Sequence, residues 1–120
     1  MATFSKITLS GSTDGRMVKV AATATAGTTL HTGSATATTY DEIWLYAVNS
    51  SASSVKLTIE WGSVSSPDDL IELSVPAESG LYLIAPGLII KGNATPLVVA
   101  AFAATTNVIN IVGYVNRITA

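Results

Sequence analysis

The sequence predicts an all-β fold, an antiparallel sandwich of jelly-roll type, and three observations carry that reading. Apolar residues alternate with polar ones along several segments, the period-two signature of strands with one buried face. No segment of useful length carries an i, i+3, i+4, i+7 apolar stripe, and β-branched residues dominate. Turn clusters recur at short intervals, dividing the chain into about nine short strands, one of them broken by Pro86–Gly87. An immunoglobulin-like sandwich is the second choice, since the cysteine pair that would favour it is missing.

The chain spans 120 residues, the size of one domain able to bury its own core, here residues 1–120. Within it, residues 1–39 form a Thr/Ala-rich N-terminal third of strands and loops, and 40–118 hold the core strands. Thr3–Leu9 is β-prone, with Ile7 and Leu9 on its apolar side, and Ser10–Gly15 is a turn cluster. Met17–Ala24 follows, with Val18, Val20, Ala22 and Ala24 sharing a side. In the Thr/Ala/Gly-rich stretch after it, short strands are expected near Thr28–Thr32 and Ala35–Thr39.

Glu42–Trp61 is the clearest signal. Val55, Leu57, Ile59 and Trp61 alternate with Lys56, Thr58 and Glu60, which are expected on a wet face. Before them Ile43–Val48 is apolar on both sides, as in a strand covered twice or one whose second face meets another protein. Asn49–Ser54 reads as the turn of a β-hairpin joining the two. Further on, Leu70–Val75 places Ile71, Leu73 and Val75 inward. Leu81–Ile90 is two short strands or one bent strand. Pro96–Ala104 is a buried strand, and Val108–Ile118 a long final one whose Gly113 marks a bulge or a close contact.

Composition bounds the chemistry. Charged residues make up 12% of the chain against roughly 25% in ordinary domains, and mean hydropathy is +0.48. With a net charge of −2 there is no electrostatic footprint for nucleic acid. No apolar run approaches the length of a membrane helix, and Met1–Ser12 lacks the pattern of a secretion signal, so neither membrane nor export is expected. The absence of cysteine removes disulfides, thiol chemistry and zinc knuckles. A surface so poor in charge suits a subunit packed against neighbours, so a homo-oligomer or larger assembly is expected.

No catalytic, cofactor-binding or metal-ligating residue is expected. His31 is the sole histidine and no hydroxyl is marked as its nucleophile, so a loop or strand histidine is the plainer reading. Asp68, Asp69, Glu72 and Glu78 lack calcium-loop spacing and read as a solvated rim. Trp61 closes an inward row and is expected in the core. Trp44, Tyr46 and Tyr82 are the candidate subunit-interface residues, and could alternatively serve as a sugar-stacking platform.

The strings DEIWLYAVNSSASSVKLTIEWG, SPDDLIELSVPAESG, the Pro86–Gly87 break and VINIVGYVNRI together resemble small virion proteins of tailed bacteriophages, the head-decoration or cement proteins. The likeness covers roughly Tyr40–Ile118. It implies a β-sandwich that coats the outer surface of an icosahedral capsid, commonly as trimers, with itself and the major capsid protein as partners. Such a protein would be assembled in the host cytoplasm and would not be an enzyme. Tail, fibre or connector modules of the virion share this texture, and a carbohydrate-binding sandwich is the alternative outside that class.

Overall fold

A computed structural model describes residues 2–119, and over them the chain is all-β: two antiparallel sheets packed face to face, with no helix. The larger sheet runs in the order β1 (Thr3–Thr8), β9 (Ile109–Thr119), β4 (Thr39–Asn49), β7 (Tyr82–Lys91). The two-residue β2 (Val18–Lys19) continues the β1 edge by pairing further along β9. The smaller sheet runs β3 (Thr28–Thr32), β8 (Val98–Ala103), β5 (Val55–Trp61), β6 (Leu70–Val75). Between the sheets lies one core, in which Leu9, Leu30, Ile43, Leu45, Leu57, Ile59, Ile109 and Ile111 are fully buried.

The expected β4–β5 hairpin does not form. β4 pairs with β7 and β9, whereas β5 pairs with β6 and β8 in the opposite sheet. Their apolar rows, Ile43/Leu45/Ala47 and Val55/Leu57/Ile59, both point into the core between the sheets. Alternation identifies a buried row, but it is the same whether two rows lie side by side or stack across the ~10 Å between sheets. The linking residues arch over that gap, organised by the buried Asn49. Its Nδ2 donates to the carbonyls of Ser53 (2.9 Å) and Val75 (3.0 Å), and its Oδ1 accepts the Ser51 N–H (2.9 Å).

Other expectations shift in detail. On β5 only Lys56 is exposed, while Thr58 and Glu60 are buried, because the irregular segment 21–27 lies over that side. No strand forms over 35–38, where the chain turns tightly with the Thr39 N–H on the Thr36 carbonyl. β3 occupies Thr28–Thr32 as expected. Met17–Ala24 keeps only β2 as strand: Val18 and Val20 are buried, after which the chain leaves the sheet. β7 is one strand with two register shifts against β4, and Gly87 at one of them has φ +80°. Gly113 is a close contact, not a bulge: the β4–β9 register runs unbroken through it, and a Cβ there would strike the Trp44 carbonyl oxygen.

Candidate functional site on the outer face of the larger sheet

Strand alternation sends Asp41, Ile43, Leu45, Ala47 and Asn49 of β4 inward and Tyr40, Glu42, Trp44, Tyr46 and Val48 outward. The outward set faces away from the smaller sheet, and no other strand among the described residues packs over it, so its side chains are half-buried or exposed. Register extends it across the sheet. Tyr114 lies opposite Trp44, Asn116 opposite Glu42, Val112 opposite Tyr46 and Ile118 opposite Tyr40 on β9. Beyond β9, Phe4 and Lys6 of β1 continue the same rows, and Ile89 and Leu83 of β7 do so on the far side. The result is a broad apolar and aromatic surface with Glu42 near its middle, Lys6 on its β1 edge, and Lys91 and Lys19 at its two ends, opposite Tyr40 and Asn110. Phe4 is 72% exposed, Ile89 55% and Leu83 48%, far above the core.

At the centre the side chains hold one another in place. The Trp44 and Tyr114 rings stack, with centroids 6.0 Å apart and planes 10° from parallel. The Lys6 ammonium sits 5.0 Å from the Tyr114 ring centroid, in cation–π range. Glu42 Oε1 accepts from Trp44 Nε1 (2.9 Å) and from Asn116 Nδ2 (2.8 Å). The Asn116 bond foremost, then the Trp44 bond, holds the Glu42 carboxyl below the usual glutamate range, against a small opposing effect of burial. Gly87 gives the indole its room, since a Cβ there would lie 3.1 Å from Trp44 ring carbons. Beside this group Phe4, Lys6, Glu42, Asn116 and Ile118 line a shallow depression of about 430 Å³. The surface is therefore preformed: its anchors lose little freedom when something packs on them.

The three interface candidates separate. Trp44 and Tyr46 share the outer face, but Tyr82 stands opposite Ala47 on the inward side and packs against the core. A register shift between Leu45 and Tyr46 puts Leu83 in the outward row in place of its neighbour. Trp61 packs against the core from the end of β5.

His31, Asp41 and Arg117 form a second polar cluster, which the sequence does not announce. Asp41 and Arg117 face each other across β4 and β9. The guanidinium forks onto the carboxylate, Nε to Oδ1 and an Nη to Oδ2, both at 2.8 Å. From β3 in the other sheet, His31 Nε2 meets Asp41 Oδ2 at 2.7 Å, while its Nδ1 accepts the Ser10 N–H at 3.1 Å. Those partners specify the Nε2–H tautomer, donating to Asp41. Burial pushes the Asp41 carboxyl up, but the hydrogen bonds from Arg117 and then His31, with the charge of Arg117, outweigh it and hold it below the ordinary range. Histidine and aspartate are each 1% exposed, and their polar atoms are committed to one another, to Arg117 and to the Ser10 N–H. The Ser10 hydroxyl is occupied in accepting the Thr32 N–H at 2.7 Å. The cluster is a rivet between the two sheets. Its one sequence signal is Asp41 itself, a carboxylate two residues before Ile43 in the inward row of β4.

The acidic residues Asp68, Asp69, Glu72 and Glu78 stay dispersed. Glu72, which stands opposite Thr58, pairs at the surface with Lys56, two residues away along β5. Among the described residues no three His, Asp or Glu side chains converge as metal ligands would. No protein-family model matches the chain, and no curated protein or solved structure is significantly similar to it.

Proposed function

We propose that this chain is a non-catalytic structural protein of a tailed-phage virion, a capsid-decoration subunit that packs against copies of itself and against the major capsid protein. The observation that carries the reading is the uncovered aromatic face of the larger sheet. β4 and β9, eleven residues each, span ~37 Å, and four strands ~19 Å, giving roughly 700 Å². A standard protein interface buries about 800 Å² per partner, so the face is the right size for a specific contact. Its composition supports the same reading: aromatic anchors at the centre, few charges, and one fixed carboxylate to set register. The strand order β1-β9-β4-β7 over β3-β8-β5-β6 supports the jelly-roll form over the immunoglobulin-like one, whose sheets are ordered A-B-E-D and C-F-G.

Cementing is then a matter of many weak clamps. Each copy bridging two shell subunits adds a contact that must break before the shell opens, and the copies act together. The test is binding of purified protein to expanded phage heads, with light scattering of the free protein in parallel. Trp44→Asp is expected to abolish oligomers and shell binding while the β-sheet circular dichroism stays intact. A stable monomer that leaves the heads undecorated would overturn the proposal. A second reading has one observation in its favour: Trp44 and Tyr114 flank the depression where Glu42 and Asn116 supply polar groups, as in a sugar platform. Glycan binding lost on Trp44→Ala, with heads undecorated, would select it.

A further inference from the structure

On the opposite side of the sandwich, Glu60 is a carboxylate buried to 1% exposure on the outer side of the smaller sheet. Its Oε2 accepts the Thr25 hydroxyl at 2.8 Å and its Oε1 the Gly27 N–H at 2.7 Å. Both donors are neutral. Among the described residues no lysine, arginine or histidine pairs with it, in contrast to Asp41 and Glu72. A carboxylate taken from water without a counter-cation is unfavourable, and each oxygen still has a free lone pair.

Next to Glu60 the surface opens into a cavity of about 240 Å³. Its walls are apolar, from Val64, Val98, Ala100 and Ala26, with the hydroxyl residues Thr29 and Ser63 as further polar lining. At ~30 Å³ per water the space equals about eight waters of liquid, enough for a four-carbon stem with a charged head. A single anionic group beside an apolar slot is the complement of an ammonium on a methylene chain: the head takes the carboxylate and hydroxyls, and the stem lies along valine and alanine. We propose that this cavity binds a primary alkylammonium group, either of a free alkylamine or of a lysine side chain.

The test is an NMR titration of the whole chain with n-butylammonium, with Nα-acetyl-lysine methylamide, and with 1-butanol as the uncharged isostere. Saturable shifts at the Gly27 amide and the Val64 and Val98 methyls are expected, with a dissociation constant on the order of 1–10 mM for so small a ligand. The alcohol should bind at least about tenfold more weakly. Glu60→Gln should remove the ammonium preference. Because that change also disturbs the Thr25–Gly27 anchor, Val64→Trp serves as the second variant: it blocks the exposed mouth, leaves Glu60 in place, and should abolish the shifts in a folded protein. Binding of both cationic ligands identifies a lysine-accepting site, and binding of butylammonium alone a free-amine site. No saturable shift by ~50 mM amine, an equal response to the alcohol, or shifts that survive Val64→Trp would overturn the proposal.

Discussion

Replacing Asp41 by asparagine should expose how much the polar rivet between the sheets contributes. The carboxylate takes two bonds from Arg117 and one from His31, so three charge-assisted contacts depend on one negative charge. Asparagine offers one acceptor and turns an N–H toward a donor. Removing one partner of a buried ion pair costs about 3–5 kcal/mol, mostly through the charge left behind. Arg117 is 32% exposed and regains some water, which places the cost near the lower end, about 3 kcal/mol. For 120 residues the unfolding entropy is ~250 cal/mol/K near the midpoint, so Tm should fall by ~12 °C. Calorimetry at neutral pH, with urea unfolding alongside, reads this directly. A loss under ~1 kcal/mol would refute the reasoning, because a charge so buried and paired cannot be removed so cheaply.

The same cluster sets a pH dependence with a definite sign. Asp41 has a lower folded than unfolded pKa, so its stabilisation is fully present above the ordinary value of 3.8 and is lost as pH falls through the folded value. The carboxyl carbon shift of Asp41, followed by NMR in acid, should titrate below 3.8. A midpoint at or above that value would show that burial outweighs Arg117 and His31.

Three further outcomes follow from named contacts. Gly113→Ala should cost about 3 kcal/mol, the upper end for overpacking, because the obstacle is the Trp44 carbonyl and not a movable side chain; chemical denaturation measures it. Asn49→Ala should cost about 2–3 kcal/mol by leaving the buried Val75 carbonyl without its donor, and should loosen the arch between β4 and β5, seen as faster amide exchange there. Trp44 fluorescence should titrate with Glu42 at a midpoint below the usual 4.5, and the transition should vanish in Glu42→Gln; its survival would mean another group controls the indole.

The sequence by itself determined the class of fold and the identity of the buried rows. Alternation places Ile43, Leu45 and Ala47, Val55, Leu57 and Ile59, and Val75 on inward faces, and the core is built from them. This works because a side chain's face depends on parity along the strand, a local property. The same alternation marked Trp44 and Tyr46 as a second apolar face needing a neighbour. What only the tertiary structure decided is partnership. Whether β4 pairs with β5 or stacks over it, and whether Glu60 is wet or covered by Thr25 and Gly27, depend on contacts made after the chain has folded back. His31, Asp41 and Arg117 are brought together across 10 and 76 residues by strand register and sheet stacking. Along β7 one single-residue shift reverses the faces, turning Ala85 inward, and a second restores them, leaving Tyr82 inward opposite Ala47. A period of two makes faces legible from sequence, but a single-residue shift reverses them, and such shifts are fixed by packing between strands far apart in the chain.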